Sequence, residues 1–187
     1  MALSITSLKK GTIFQLDNVP YKVMDYNQKV MGRGGSIVNV RIKSLLDGKV
    51  LDKTFKGSEQ IESADVSGRS AQYLYSAAEQ FYFMDTENYD QFNVSAHDME
   101  GKDSYLKEGD IVTAQMFDGR VISIELPKNV SLKVTYTENV VKGDTSSAIT
   151  KDATLETGLV IKVPAFIKQG DLISVDTASG TYRERVK

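Results

Sequence analysis

The chain has 187 residues, of which 41% are hydrophobic, and it contains no cysteine. This composition predicts a folded protein and excludes disulfides, thiolate nucleophiles and cysteine-ligated metals. No apolar run approaches the roughly 18 residues that a membrane span needs, and no long apolar segment follows a basic N-terminus. We therefore expect a cytoplasmic protein that is neither exported nor inserted into a membrane.

The net charge of −2 conceals an uneven distribution of charge along the chain. Residues 1–64 have 10 basic and 6 acidic side chains, residues 65–127 have 4 and 12, and residues 128–187 have 9 and 7. The basic first part and the mildly basic last part favour contact with phosphates, whereas the acidic middle part should avoid them. Chance variation among solvated faces would give the same pattern, and the sequence leaves that alternative open.

Strand patterns dominate the chain. An extended run at 21–30 leads through a glycine-rich segment into an alternating strand at 37–43, and residues 130–136 alternate in the same way. No long stripe with the period of a helix occurs, and short helical segments are expected only around 58–64 and 95–99. We predict an all-β fold.

Turn signals divide these strands. Glycine supplies the positive φ that tight hairpins need, and it follows an aspartate or a serine at three places between strand patterns. The three predicted hairpin turns are Asp47-Gly48, Asp118-Gly119 and Ser179-Gly180. Breaks in the pattern near Ala64 and at Pro127 predict three modules, residues 1–64, 65–127 and 128–187.

The second and third modules share a short sequence pattern. Lys107–Val112 reads Lys-Glu-Gly-Asp-Ile-Val, and Lys168–Ile173 reads Lys-Gln-Gly-Asp-Leu-Ile. Each lysine lies twelve residues before a turn glycine, Gly119 or Gly180. The pattern predicts one plan for both modules, a short barrel of the oligonucleotide-binding (OB) type, in which closure removes exposed strand edges. Coincidence over six positions stays open as the alternative.

The glycine-rich tip Met31–Ser36 is the most unusual local feature of the sequence. Gly32, Gly34 and Gly35 let the backbone turn tightly and approach another surface, and Arg33 should project at the apex with donors suited to phosphates and bases. A positively charged finger of this kind fits an RNA-lined cleft. An ordinary hairpin with a solvated arginine is the alternative. The basic side chains predicted to support the tip by contacting RNA backbone are Lys29, Arg41 and Lys43.

Signatures of an enzyme are weak. The single histidine, His97, lies in a polar stretch beside Asp98, and no nucleophile motif or phosphate-binding glycine loop is present. The acidic residues of the middle module show no metal-ligand spacing. We therefore predict a protein that is not an enzyme and that uses no metal and no cofactor.

The third module carries a long family motif. Residues 151–170 read KDATLETGLVIKVPAFIKQG, with the lysine, the alanine, the glycines and the Val-Pro pair at the spacing of bacterial elongation factor P. Further matches lie at 142–145, 72–75, 53–56 and 175–177. Over nearly its whole length the chain therefore resembles that family.

The resemblance implies a fold of three β-barrel modules in an L shape, with an SH3-like (KOW-like) first module followed by two OB modules. It also implies a monomer that binds the 70S ribosome and its rRNA between the peptidyl and exit sites. There the tip would reach the acceptor end of the peptidyl-tRNA, position the prolyl residue and stimulate peptide-bond formation at polyproline stalls.

The resemblance also implies roles for individual residues. Arg33 occupies the tip position that the family fills with lysine or arginine, often enlarged by a modification enzyme. Lysine-type members have Pro-Gly-Lys-Gly there, so lysylation is not expected, whereas rhamnosylation of Arg33 and an unmodified Arg33 both stay open. The residues implied to lie toward the messenger in the exit site are Gly143, Asp144, Thr145, Tyr182 and Arg185.

Two other functions stay open at this point. The elongation factor P-like paralogue also has an arginine at its tip, although Gln-Tyr-Leu-Tyr at 72–75 and Val-Asp-Thr at 175–177 favour the main family. A free single-stranded RNA-binding OB protein would need stacking aromatic residues beside a basic groove. The aromatic-rich segment 73–92 lies instead in the acidic module.

Overall fold

The computed structural model describes residues 2–31, 35–57, 59–138 and 150–186. Strands dominate these residues, and they form three sheets. The helices are α1 (Ala96–Met99) and two short 3₁₀ segments, Ile5–Ser7 and Lys102–Tyr105. The predicted all-β fold is confirmed.

The first sheet has the strand order β1-β6-β2-β3-β4-β5. Its strands are β1 (Ala2–Ser4), β2 (Ile13–Leu16), β3 (Val19–Met31), β4 (Gly35–Ser44), β5 (Val50–Lys56) and β6 (Gln60–Ser63). Alternate residues of β4, among them Val38, Val40 and Ile42, are buried in the core with Phe14. The alternation predicted for 37–43 is therefore confirmed.

The helix expected around 58–64 is wrong. Gln60–Ser63 is instead strand β6, which pairs with both β1 and β2. Ile61 points into the core of the first sheet and is only 4% exposed. Pairing with β2 and with β1, which lies nearly 60 residues earlier in the chain, determines this conformation, and a local sequence pattern carries no sign of it.

The second sheet has the order β11-β10-β7-β8-β9. Its strands are β7 (Val66–Ala77), β8 (Gln80–Asp85), β9 (Gln91–Ser95), β10 (Ile111–Phe117) and β11 (Arg120–Glu125). Tyr73 and Phe83 are buried with their ring centroids 5.4 Å apart, and Phe92 stacks on Phe83. Aromatic side chains therefore fill much of this core.

The third sheet has the order β14-β13-β12-β15-β16. Its strands are β12 (Asn129–Thr137), β13 (Thr150–Leu155), β14 (Val160–Pro164), β15 (Leu172–Asp176) and β16 (Thr181–Val186). Its core is aliphatic, with Leu132, Leu155, Ile167 and Ile173 almost fully buried. The predicted module boundaries at Ala64 and Pro127 lie in the short segments that join one sheet to the next.

The shared sequence pattern corresponds to a shared corner in the second and third sheets. In each, the glycine N–H donates to a backbone carbonyl of the strand that comes first in sequence, β7 or β12. The carbonyl of the following aspartate accepts an N–H from the same strand, and the aspartate carboxylate accepts the backbone N–H of the lysine. The bonds are Gly109 N to Tyr73 O (2.9 Å), Tyr73 N to Asp110 O (2.8 Å) and Lys107 N to Asp110 Oδ2 (3.0 Å), and Gly170 N to Val134 O, Val134 N to Asp171 O and Lys168 N to Asp171 Oδ2 (2.8 Å each). The strand then shifts register, between Tyr73 and Tyr75 in β7 and between Val134 and Tyr136 in β12. The two sheets thus follow one plan.

The chain forms two compact units, Met1–Gly68 with Gln115–Ser123, and Arg69–Ala114 with Ile124–Lys187. Within the second unit, residues after α1 contact the third sheet. Lys107 Nζ donates to the Ser131 carbonyl at 3.0 Å and lies 3.6 Å from Glu156 Oε1. Tyr105 packs against the aliphatic core of that sheet. A Cβ atom built on Gly180 would lie 2.9 Å from the Tyr105 hydroxyl, so the turn glycine is needed for space as well as for its positive φ of 67°.

We expect Gly180→Ala to destabilise the protein more than Gly158→Ala, measured as the free energy of unfolding in urea. Both glycines have positive φ, and alanine at either should cost about 1 kcal/mol in backbone strain. Only at position 180 must the Tyr105 ring also move, since nothing lies within 4 Å of a Cβ at Gly158. Adding Tyr105→Phe should remove the excess loss, and equal losses in the two alanine variants would contradict the contact.

Buried aspartates hold two hairpin turns. Asp176, only 5% exposed, accepts hydrogen bonds from the backbone N–H groups of Ala178 and Ser179, and Arg183 Nη2 donates to it at 2.7 Å. The Arg183 bond, followed by those from Ser179, holds the pKa of Asp176 well below its usual value. Asp85 holds the turn between β8 and β9 of the second sheet. It accepts a hydrogen bond from Glu87 N at 2.8 Å, which lowers the pKa of Asp85.

The depressed pKa of Asp176 predicts a pH dependence of stability. The stabilisation is fully present above the ordinary carboxyl pKa of about 4 and is lost as the pH falls through the lower pKa of the folded protein. Asp176→Asn should therefore lower the Tm at neutral pH and make its decline from pH 5 to pH 2 shallower.

Asp52→Asn serves as the control for this prediction. The pKa of Asp52 is also lowered, chiefly by its hydrogen bond from Arg41, but its side chain is 70% exposed and water screens the pair. Asp52→Asn should therefore change the pH profile of the Tm less than Asp176→Asn does. An unchanged profile in Asp176→Asn would contradict the assignment.

Candidate nucleic-acid interface

The paired strands β3 and β4 lead to the predicted tip. Their register runs from Tyr21 opposite Ser44 to Met31 opposite Gly35, with one irregularity between Val23 and Asp25. Residues 32–34 connect the two strands and lie outside the described residues, and so do the predictions for Gly32, Arg33 and Gly34. Gly35 is the first residue of β4. The backbone pairing accordingly extends to both sides of the predicted tip.

A row of basic residues crosses the outer face of the first sheet beside the tip. The register places Lys29 of β3 opposite Ile37 of β4, and Ile37 opposite Lys56 of β5. Both lysines are exposed. Strands lie about 4.8 Å apart, so the two lysine Cα atoms are separated by roughly 10 Å. The row presents two positive charges to one side of the sheet, where they can contact phosphates.

Lys56 was not among the residues predicted from sequence. Lys56 lies two residues after Thr54, so both lie on one face of β5. This spacing can be read from the sequence. Its position beside Lys29 depends on the register of β4 with β5, which the sequence pattern does not determine. Lys29 and Lys56 become neighbours only through Ile37.

Arg41 forms an ion pair two rows along the same face from the row that contains Lys29 and Lys56. Its Nε donates to Asp52 Oδ1 at 2.9 Å and its Nη2 to Asp52 Oδ2 at 3.1 Å. The Asp52 hydrogen bond is the main reason that the pKa of Arg41 is raised above its ordinary value, and Asp25 adds a smaller effect. Asp52 therefore offsets the charge that sequence analysis assigned to RNA binding, although the Arg41 side chain remains 60% exposed.

Lys43 lies on the same face of β4 as Arg41, as predicted, but only 9% of its surface is exposed. Contact with a bulky phosphate group is restricted at such a position. An open polar depression of about 430 Å³ is lined by the Arg41 row and the adjacent Asn39 row, where Thr54 Oγ1 donates to Asn39 Oδ1 at 2.7 Å. Asn27 of β3 lies opposite Asn39 of β4. The face therefore presents exposed lysines together with side-chain amides.

The predicted exit-site residues have different surroundings. Gly143, Asp144 and Thr145 lie outside the described residues. Tyr182 is half-buried and packs against the core of the third sheet, whereas Arg185 is exposed, with Nη1 3.9 Å from Asp171 Oδ2. Arg185 is thus the more accessible of the two to a phosphate.

Sequence analysis missed Lys151 as a structural residue near that region. It is 7% exposed, and its Nζ donates to the carbonyl of Glu138 at 2.8 Å. Glu138 is the last described residue before 139–149. The Lys151 side chain therefore ties strand β13 to the residue that follows β12.

The single histidine and the acidic residues of the described ranges do not gather into a metal-ligand cluster. His97 is exposed on α1, and the nearby Ser95 hydroxyl caps that helix by accepting from Asp98 N. Across residues 2–31, 35–57, 59–138 and 150–186, no cluster of three or more potential metal ligands occurs. In the same ranges no helix is long and apolar enough to cross a membrane.

Three family models match the chain in order. They are described as the elongation factor P KOW-like domain at residues 4–61, the elongation factor P OB domain at 66–124 and the elongation factor P C-terminal domain at 130–185. The first and second descriptions agree with the predicted SH3-like (KOW-like) and OB folds. The corner shared by the second and third sheets relates the third module to the OB module.

The chain has a partial structural likeness to two solved translation initiation factors. One is eukaryotic translation initiation factor 5A from Methanococcus jannaschii, with a TM-score of 0.49, 20% identity, and 66% of this chain and 95% of that chain covered. The other is an eIF-5A family protein from Naegleria fowleri, with a TM-score of 0.43, 16% identity, and coverage of 67% and 98%.

Curated relatives cover almost the entire chain. Elongation factor P of Aquifex aeolicus is 43% identical over 185 residues, which are 99% of this chain and 96% of the relative. Those of Maridesulfovibrio salexigens and Wolinella succinogenes are 40% and 39% identical, with 99% and 100% of this chain and 100% of each relative covered. Since identity at this level extends over all three modules, the chain belongs to the elongation factor P family of translation elongation factors.

Proposed function

We propose that this protein binds the 70S ribosome between the peptidyl and exit sites and stimulates peptide-bond formation at polyproline stalls. The observation that carries the proposal is the β3–β4 ribbon, which leads to an arginine between glycines and is flanked by Lys29 and Lys56. A narrow, positively charged ribbon can enter a cleft lined with RNA. The partners are rRNA and the peptidyl-tRNA, and the place of action is the cytoplasm.

The protein acts by positioning and performs no acid–base step. Proline is a poor reactant because its ring fixes φ and restricts the geometry of attack. By holding the acceptor end of the peptidyl-tRNA, the tip restores a reactive arrangement for the ribosome's own reaction. Orientation of two reactants can supply on the order of 7 kcal/mol of a barrier in favourable cases, so positioning alone is sufficient.

Arg33 is the residue that makes this contact, which places the chain among the arginine-tip members of its family. Its planar guanidinium offers five N–H donors to the phosphates and bases of the tRNA end. A rhamnose added by a modification enzyme would lengthen this side chain and add hydroxyl groups, and the mass of the Arg33 peptide from the native host decides whether one is present.

The third module supplies a second contact on the messenger side. Gly143, Asp144 and Thr145 would lie toward the exit-site codon, with Arg185 offering a cation to the backbone. Because Tyr182 packs on the core, its contribution is to hold β16 in place. Contacts at two distant places on the tRNA and messenger would fix the factor's orientation.

We expect Arg33→Ala to reduce the yield of a polyproline peptide in a purified translation system to the level seen without the protein. The reason is that the residue nearest the tRNA end is lost while the ribbon beneath it is intact. Sedimentation with ribosomes should be mostly retained, and a proline-free message should be unaffected. Arg120→Ala removes another exposed hairpin arginine and should keep activity. Full polyproline synthesis by Arg33→Ala would refute the role of the tip.

We expect Asp52→Asn to strengthen tRNA binding and to steepen the dependence of log K on log salt by about one unit, because one more phosphate contact becomes available once Arg41 loses its partner. Fluorescence anisotropy with labelled tRNA over a salt series measures both quantities. Asp152→Asn makes the same charge change in a similarly exposed pair, with Lys162. If both variants bind equally, net charge is the cause and the face of the first sheet is not the binding surface.

A further inference from the structure

The second sheet contains a long segment without any positive charge. From Ser70 to Gly101 the sequence has no lysine and no arginine, but it has six aspartates and glutamates and seven tyrosines and phenylalanines. These residues form most of β7, all of β8 and β9, and α1. Neither the family assignment nor the proposed tip contact explains this composition.

Part of this aromatic content lies outside the core. The register places Tyr75 of β7 opposite Tyr82 of β8, and Tyr82 opposite Asn93 of β9. The two tyrosine rings stack with centroids 4.6 Å apart and planes 18° from parallel. Tyr75 is 44% exposed, in contrast to the buried Tyr73 two residues earlier. A stacked aromatic pair, with Tyr75 partly exposed and Tyr82 half-buried, therefore lies on the outer side of β7–β9.

Exposed carboxylates lie at both ends of this aromatic surface. At one end, Glu79 is in the β7–β8 turn, where its carbonyl accepts the N–H of Ala96, and Asp98 is one helical turn from Ser95. At the other end, Glu87 and Asp90 lie in the turn between β8 and β9. The four carboxylates are exposed, unlike the buried Asp85 of the hairpin cap.

This combination selects the chemistry of a partner. Ring faces attract cations, and arginine stacks on them more often than lysine does. The surrounding carboxylates strengthen that attraction and repel nucleic-acid phosphates. Interface cores are enriched in tyrosine and arginine, so the surface is suited to protein recognition.

We propose that the outer face of β7–β9, centred on Tyr75 and Tyr82, is a docking surface for a basic, arginine-bearing segment of a protein partner. Charge complementarity identifies the occupant, because four exposed carboxylates, Glu79, Glu87, Asp90 and Asp98, flank the face and residues 70–101 contain no lysine or arginine. The surface is separate from the tip residues of the proposed function. The proposal therefore stands or fails independently of polyproline synthesis.

The third sheet provides a matched comparison. Tyr136 follows the strand irregularity in β12 just as Tyr75 does in β7, and it is 60% exposed. Opposite it on β13 is Thr154, where the second sheet has Tyr82. An exposed tyrosine thus occurs at the same place in both sheets, but the stacked pair with its acidic surroundings belongs to the second sheet.

The test titrates the full-length protein, with ring-labelled tyrosine, with a peptide of alternating arginine and serine. We expect the NMR signals of Tyr75 and Tyr82 to shift, and the same peptide with citrulline in place of arginine to leave them unchanged. Tyr75→Ala should weaken the peptide roughly threefold or more, as expected for loss of an exposed cation–π contact. Tyr136→Ala should bind the peptide as the wild type does.

A second pair of variants guards against effects on folding. Tyr75→Leu keeps apolar area but removes the ring, and Glu79→Gln with Asp98→Asn keeps both rings but removes charge. Both should weaken the arginine peptide while the Tm changes little. The proposal is overturned if the citrulline peptide binds equally, if Tyr136→Ala loses as much affinity as Tyr75→Ala, or if oligouridylate shifts the two tyrosines more strongly. Self-association through this face, seen in sedimentation, would also overturn it.

Discussion

The backbone ladder between β3 and β4 is the constraint on which the proposed tip depends. Over the inner part of the ladder, Val23, Val38, Val40 and Ile42 anchor both strands in the core. Pairing with β5 ends at Ile37, so the final pairs of the ladder form a ribbon of only two strands. A two-stranded ribbon is marginal alone, and here its stability derives from the buried base. The two-stranded end of the ladder therefore extends from a base that is fixed in the core.

Electrostatics then distinguishes surfaces that share the same architecture. The second and third sheets share the lysine–glycine–aspartate corner, a strand irregularity and an exposed tyrosine at the same place. Their backbones follow one plan, but the charges on their outer faces differ, with carboxylates around Tyr75 and an Asp152–Lys162 pair on the neighbouring strands of the third sheet. A fold used twice can thus present different charges on equivalent outer faces.

Local patterns were sufficient to predict part of this structure. Alternation predicted β4 and β12, turn glycines predicted the hairpins, and the six-residue echo around Lys107 and Lys168 predicted the repeated plan. What failed depends on which residues pair across strands, whether the strands are distant or adjacent in sequence. Strand β6 exists because Ile61 enters a core built by earlier strands, and the Arg41–Asp52 pair and the lysine row need the register of β4 with β5. The tip and exit-site roles came from family resemblance and stay predictions.

The long-range pairing of β6 in the first sheet has a consequence for the order of folding. Strands β3, β4 and β5 are consecutive in sequence and pair with their neighbours, whereas β6 must return across nearly 60 residues to reach β1. Local hairpins form in about 1–10 μs, while pairing of distant segments is slowed by the entropy of loop closure. The ribbon that leads to Arg33 is therefore expected to form before β6 joins β1 and β2, during synthesis of the chain as well as in refolding.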